Sequence, residues 1–448
     1  MVETGNGTAA AAAAAGTFDR GYQFRACAAL LMLFLYSGYC LQALPVVAPA
    51  VLADWKISAN ALAMPLGLIS IGTAIGSVLG GFLADAKGRK VPIICCTALQ
   101  VAAMFLTAFV STPEELYPLM FAVGLGLGGY FSSGMALITE LSHEHRKGLM
   151  ISLAILFTPL GLNLCALIAG YVAPRYGWAD MFLIGGALGV PLVLALTFLV
   201  PESPKYLARF PHRAEAYGTV MRRLGITHDE PGESDAQKPG PALALTLLRE
   251  RLGDTLILWL LFFVMYVLGS IVLNWTPVVF ASIGFDIGFA SQTLFYWTLG
   301  SMSGTLISGW CMGLIGARNT AVLFALAAVA AVAALTFIKL DASMGWLVIL
   351  LLPAAGVGVA GVVTTLYTLS AEIYPTAMRA TGIGLADAVG RVGGIVSAFI
   401  GVVLLDRAGA SGVFLTILCL AVLTLAILLY FRQHRRTEAE AGDSAGSS

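Results

Sequence analysis

Twelve mostly apolar stretches recur along the chain, at 27–52, 61–84, 91–111, 116–138, 149–172, 180–200, 255–280, 290–313, 319–338, 345–370, 380–404 and 411–431. A stretch of about 20 such residues is long enough to cross a bilayer as an α-helix. A spanning segment must be helical or part of a closed barrel, because its backbone groups find no water in the hydrocarbon. Polar runs separate the stretches, and the longest of them, 201–254, divides the spans six and six. The pattern predicts an all-α polytopic membrane protein. Its parts are a tail at 1–26, a six-helix bundle at 27–200, a central loop at 201–254, a second bundle at 255–431 and a tail at 432–448.

Composition strengthens that reading. Of the 448 residues, 58% are hydrophobic and 11% charged, whereas a soluble domain carries about 25% charged residues. The run from Ala9 to Ala15 lacks large apolar residues and has polar flanks, so it reads as tail and not as a signal peptide. The first span then serves as an uncleaved anchor. Net charge is zero and no basic stretch is dense enough for nucleic acid. All seven cysteines fall in or beside apolar stretches, where thiols behave as small hydrophobes, and no disulfide is expected. The five histidines lie in loops or tails, so neither a metal nor another cofactor is expected. No phosphate-binding loop and no nucleophile with its base appear, which argues against an enzyme.

Orientation follows from Lys and Arg. Arg20, Arg25, Lys87, Arg89, Lys90, Arg146, Lys147, Arg318, Arg379, Arg432, Arg435 and Arg436 fall in the tails and the even-to-odd loops. The opposite side has only Lys56, Arg175, Lys339 and Arg407. By the positive-inside rule both termini and the central loop face the cytoplasm.

The halves carry matching turns. GFLADAKGRK at 81–90 follows the second span, and GWCMGLIGAR at 309–318 follows the eighth, with the same glycine spacing. Glu140 with Arg146-Lys147-Gly148 after the fourth span is echoed by Glu372 with Arg379-Ala380-Thr381-Gly382 after the tenth. Paired features at paired places imply duplicated halves, a construction that puts substrate at their interface near the midplane. Gly88 permits a tight turn, and Asp85 can pair with Arg89 or with a helix N-terminus of the other half.

Segment 81–90 resembles the signature loop of the major facilitator superfamily, G-x-L-a-D-r-x-G-R-K. Further stretches resemble its aromatic acid:proton symporter family. They are QALPVVAPA at 42–50 with Asp54-Trp55, GLGLGG at 124–129, Pro159-Leu160-Gly161, Pro201-Glu202-Ser203-Pro204, and Tyr374-Pro375-Thr376 through Arg379 to Gly390-Arg391-Val392-Gly393-Gly394. The resemblance covers nearly the whole chain. It implies two pseudo-symmetric six-helix bundles working by alternating access in a bacterial inner membrane, as a monomer. The implied partners are a small organic acid, protons and the bilayer. Asp85, Gly88, Arg89, Glu140, Arg146, Glu372 and Arg379 form the expected gate, stabilising the outward-facing state from the cytoplasmic side.

The chain departs from that family in ways that bear on coupling. Where span one typically has D-G-Y-D, this chain has Ser37-Gly38-Tyr39-Cys40. Met120 stands for an arginine, Ser132-Ser133 for a Pro-Asn pair, and Gly313 for the second-half aspartate. Two ionisable residues lie clearly inside a span, Asp387 and Arg391, four apart and so on one helix face. An intramembrane charge costs about 2.5–3.5 kcal/mol or more and marks a functional candidate. Either they form a structural ion pair, or Arg391 attracts a carboxylate, which its planar fork fits, while Asp387 titrates.

Span one adds Ser37, Tyr39, Cys40 and Gln42, span four Ser133, span five Asn163, span seven Tyr266 and Asn274, and span eight Tyr296. Aromatics beside amides suit a flat organic substrate with one polar end. The competing reading of each is helix packing or an interfacial belt. The leading expectation is uptake of a small organic anion, an aromatic carboxylate, by proton symport through Asp387. An uncoupled facilitator, a carrier of another solute, and a receptor that kept the fold are the alternatives.

Overall fold

The computed structural model describes residues 20–142, 147–208, 214–224, 252–338, 342–374 and 379–445. Every long element among them is a helix. In the first half these are α1 (Arg20–Trp55), α2 (Asn60–Lys87), α3 (Lys90–Thr107), α4 (Leu116–Glu140), α5 (Lys147–Tyr176) and α6 (Ala179–Leu199). Two short helices, Pro204–Leu207 and Ala214–Leu224, follow in the connection. The second half holds α7 (Leu252–Ile283), α8 (Ile287–Ile315), α9 (Ala317–Phe337), α10 (Gly345–Ile373) and α11 (Arg379–Ala445).

Ten of these helices are long and apolar enough to cross a membrane among the described residues. The difference from the twelve expected spans has two causes. The apolar part of α11, Gly382–Tyr430, runs 49 residues, roughly 74 Å at about 1.5 Å per residue, more than twice the bilayer core. It breaks at Gly409, whose φ of 62° and ψ of −160° are not helical, so its two limbs supply two crossings. Helix α8 is 29 residues long but diluted by hydroxyls and an amide, including Ser291, Gln292, Thr293 and Thr298.

Duplication is visible in the backbone. Helix α2 ends at Gly88 (φ 94°, ψ 167°) and α8 at Gly316 (φ 79°, ψ 159°). The glycine N–H donates to the Ala84 carbonyl in the first case and to the Met312 carbonyl in the second, 3.0 Å each. Residues with a Cβ rarely take this φ, so the matching glycines build the same turn twice. Packing repeats too. A Cβ on Gly76 would lie 2.2 Å from the Leu125 carbonyl oxygen of α4, and one on Gly300 would lie 2.1 Å from the Pro353 carbonyl oxygen of α10. Small residues let these helices meet backbone to backbone, as membrane packing favours.

The end of the bundle carrying Gly88, Ser142, Gly316 and Tyr374 is called the basic end below, and the opposite end the far end. Each half has its own buried apolar cluster. The first half's cluster reaches the second half through Trp275, Val278, Leu294, Ala398 and Val402, all on the far side of the midplane. Hydrogen bonds join the halves at the same level. Ser291 donates to the Val46 carbonyl (2.9 Å), Thr298 to Asn163 Oδ1 (2.6 Å) and Gln42 to the Leu273 carbonyl (3.4 Å). A Cβ on Gly67 would press on the Phe399 ring, and one on Gly170 would lie 2.5 Å from Gln292 Cγ.

Toward the basic end the same faces part. Val78, three turns from Gly67 on one face of α2, is 58% exposed. Leu306 of α8, one turn beyond Met302, is 67% exposed. The halves are thus closed at the far end and separated at the basic end.

Candidate functional site

Where the halves begin to part, a cavity of about 200 Å³ lies between them. The first half contributes Leu41, Gln42 and Pro45 of α1, Ile69, Ser70 and Thr73 of α2, and Leu127 of α4. The second contributes Tyr266, Ser270, Leu273 and Asn274 of α7 with Arg391 and Gly394 of α11. Apolar walls with a few convergent polar groups are what a small organic ligand requires.

Among the described residues, Arg391 is the one charged side chain that lines the cavity. Its Nε donates to Asp387 Oδ2 at 2.9 Å, one turn back on the same helix face. The side chain is half exposed, and its two terminal nitrogens have no hydrogen-bond partner among the described residues. Behind it Asp387 is well supplied with donors. The hydroxyls of Tyr266 and Tyr367 both donate to Asp387 Oδ1, the latter at 2.8 Å. The site therefore presents a fixed guanidinium edge, backed by a carboxylate whose oxygens are already engaged.

Of the expected cavity residues, Gln42, Tyr266, Asn274 and Arg391 line this space. The others do not. Ser37 is buried and donates to the Phe34 carbonyl of its own helix. Tyr39 is buried in the first half, with its hydroxyl on the Met181 carbonyl of α6 (2.7 Å). Cys40 is packed in the same core, and Ser133 is buried on α4. Asn163 joins the halves through Thr298 and through Met302 Sδ (3.2 Å). Tyr296 packs on Phe289 and Phe295. Ser70, Thr73, Ser270 and Tyr367 are contributors that the sequence reading missed.

The expected gate divides similarly. Arg89 pairs with Glu140, which also accepts from Ser203 Oγ at 2.5 Å. Glu202 Oε1 accepts from the backbone N–H groups of Arg89 (2.8 Å), Lys90 (3.1 Å) and Ser203 (2.8 Å). A carboxylate at these first α3 N–H groups caps the helix. Gly88 completes the fit, since a Cβ there would lie 2.3 Å from Glu202 Oε2. These contacts tie the α2–α3 turn to α4 and the 201–204 segment within the first half. Asp85 and Glu372 are exposed and make no ion pair among the described residues. Arg146 and the side chain of Arg379 lie outside the described residues. Glu202, which lies in the family-like stretch 201–204, is the residue of this cluster that sequence reasoning missed.

The sequence pattern of the Major Facilitator Superfamily matches residues 27–398 and 354–447. The chain belongs to that superfamily. Major Facilitator Superfamily relatives align along most of its length. The gallate transporter of Pseudomonas putida is 27% identical, over 93% of both chains. The 4-hydroxybenzoate transporter PcaK of Pseudomonas aeruginosa is 28% identical, over 91% of this chain and 92% of its own. The niacin transporter NiaP of Acinetobacter baylyi is 29% identical, over 84% and 86%. Among solved superfamily folds, a D-xylose-proton symporter superposes with a TM-score of 0.70 at 18% identity, covering 91% of this chain and 97% of its own. A bacterial homolog of the human lysosomal transporter Spinster gives 0.72 at 14%, covering 92% and 96%. The protein is thus a multi-pass membrane transporter of the superfamily and not an enzyme.

Proposed function

We propose that this protein takes up a small aromatic carboxylate across a bacterial inner membrane by proton symport with alternating access. The observation that carries the reading is Arg391 at the central cavity, held by Asp387 through Nε and with its terminal nitrogens unpartnered among the described residues. A guanidinium fork matches a carboxylate bidentately. Leu41, Pro45, Ile69, Leu127 and Leu273 give an aromatic ring its apolar surroundings. The substrates named for the relatives, gallate, 4-hydroxybenzoate and niacin, each carry one carboxylate on an aromatic ring.

The basic end is the cytoplasmic one by its Lys and Arg content, and both tails lie on that side. Closed at the far end and parted at the basic end, this conformation is inward-facing. The monomer is the working unit, with the Arg89–Glu140–Glu202 cluster keeping the first half rigid while the two halves rock.

Coupling falls to Asp387, because Ser37 and Cys40 stand where the related family has acids and both are buried. A substrate carboxylate on Arg391 competes for the charge that holds Asp387 ionised, so Asp387 takes a proton as substrate binds. Binding of the two is then mutually favourable, as symport requires. Asp387→Asn in proteoliposomes is the test. The variant is expected to lose accumulation driven by an imposed pH gradient and to retain substrate exchange. Accumulation that persists in the variant removes Asp387 from coupling, and an unmodified protein indifferent to the gradient is a facilitator.

A further inference from the structure

Three oxygens meet behind the cavity, Asp387 Oδ1 and the hydroxyls of Tyr266 and Tyr367. The two hydroxyls lie 3.3 Å apart, and each is within hydrogen-bond reach of Oδ1. They come from three helices, α7, α10 and α11. We propose that Tyr266 and Tyr367 are positioning residues for proton coupling, forming with Asp387 a hydroxyl triangle that stays fully hydrogen-bonded whether Asp387 is charged or neutral. The proposal rests on the reading of Asp387 as the coupling acid and adds the device that makes its protonation tolerable in a membrane.

A carboxylate can only accept, so in the charged state both tyrosines donate to Oδ1 and Arg391 Nε donates to Oδ2. A proton arriving from the cavity water turns Oδ1 into a donor. In most buried settings that would leave some hydroxyl facing a donor, and an unsatisfied buried polar group is expensive. Here the tyrosines can follow one another. Oδ1–H donates to the Tyr367 oxygen, Tyr367 O–H donates to the Tyr266 oxygen, and Tyr266 O–H donates to Oδ1. The ring closes by hydroxyl rotation alone. Oδ2, now a carbonyl oxygen, still accepts from Arg391 Nε. Arg391 therefore keeps its position in both states, while its charge is no longer shared with a carboxylate and is available to the substrate.

The surroundings fit this role. Both rings are fixed. Phe262 packs edge-on against Tyr367 with centroids 5.0 Å apart, and α11 seats on Tyr266 at Gly390, where a Cβ would lie 2.7 Å from the ring. Other charged groups stand off. Helix α2, packed against the first limb of α11 where Gly67 meets Phe399, has no titratable side chain before Asp85. On α10 the next is Glu372, exposed and five residues toward the basic end; on α7 it is Asp254, and on α9 Arg318, both near their basic ends. Asp387 thus answers chiefly to Arg391 and the two tyrosines.

Tyr367→Phe keeps the packed ring and removes one member of the triangle. Both states lose a hydrogen bond, but the one lost by the charged state is charge-assisted and the stronger of the two, so Asp387 should take up its proton at higher pH. The test is an infrared pH titration of the purified protein in nanodiscs, following the carboxylic acid carbonyl band that Asp387→Asn abolishes. The midpoint is expected to rise by about one pH unit in Tyr367→Phe, since one unit corresponds to one modest hydrogen bond, and to rise again in Tyr266→Phe. Thermal denaturation of the same samples confirms that each variant is folded. Midpoints in both folded variants that coincide with the unmodified protein's overturn the triangle. The titration needs no substrate. A shifted midpoint together with uptake that ignores a pH gradient would therefore retire the symport reading and leave the triangle standing.

Discussion

Arg391→Ala is expected to lower affinity for an aromatic carboxylate by about 100-fold or more, with the protein still inserted. Two effects add. The substrate loses charge-assisted hydrogen bonds, each worth about 1.5–3 kcal/mol, and about 1.4 kcal/mol is a factor of ten in affinity. The Asp387 carboxylate also loses its partner and then repels the incoming anion. Arg391→Lys keeps the charge but replaces a planar fork with a point charge, so its loss should be smaller, about tenfold. Radioligand binding in detergent, with retention on size exclusion as the control for folding, measures both. An alanine variant that binds as tightly as the unmodified protein would mean that the carboxylate is held elsewhere.

The second large effect concerns the closed far end. Gly170→Leu should depress uptake by roughly 5- to 150-fold, the range that 1–3 kcal/mol of overpacking gives when it falls on one state of a two-state equilibrium. The side chain would meet Gln292 of the opposite half, a contact that the proposed alternating access would break when the far end opens. The substitution therefore penalises the inward-facing state and favours the outward-facing one. Gly161→Ala is the matched control. Its Cβ would lie 1.8 Å from the Leu35 carbonyl oxygen, but α1 and α5 belong to the same half, so the damage should fall on folding. The separating measurement is cysteine labelling at Ser291, which should become faster in Gly170→Leu as the far end opens. Unchanged labelling with unchanged uptake would contradict the account of how the halves meet.

How much of this was legible in the sequence depends on what each residue's neighbours left to choose. The spans read clearly because every apolar run faces the same solvent, and the duplicated turns read clearly because Gly88 and Gly316 do the same backbone task. Asp387 and Arg391 also stood out, since a charge in a span needs a reason. The face of α1 did not. That helix has protein on most sides, so its polar residues do not mark one direction. Gln42 faces the cavity, whereas Tyr39, three residues earlier, reaches α6. Tyr367 gave no signal because a tyrosine among apolar residues is ordinary, and only the fold brings α10 beside α11. Glu202 was hidden for a similar reason: the α3 N-terminus it caps lies more than a hundred residues away in the chain.

The central claim is that a carboxylate on an aromatic ring is carried inward with a proton, and uptake by energised membrane vesicles tests it most directly. Vesicles containing the protein are offered 4-hydroxybenzoate, gallate and nicotinate, then the corresponding amides, with and without a protonophore. At least one acid should accumulate above its external concentration, the protonophore should collapse that accumulation, and the matching amide should neither accumulate nor compete. Equal handling of acid and amide, or accumulation indifferent to the protonophore, would contradict the account.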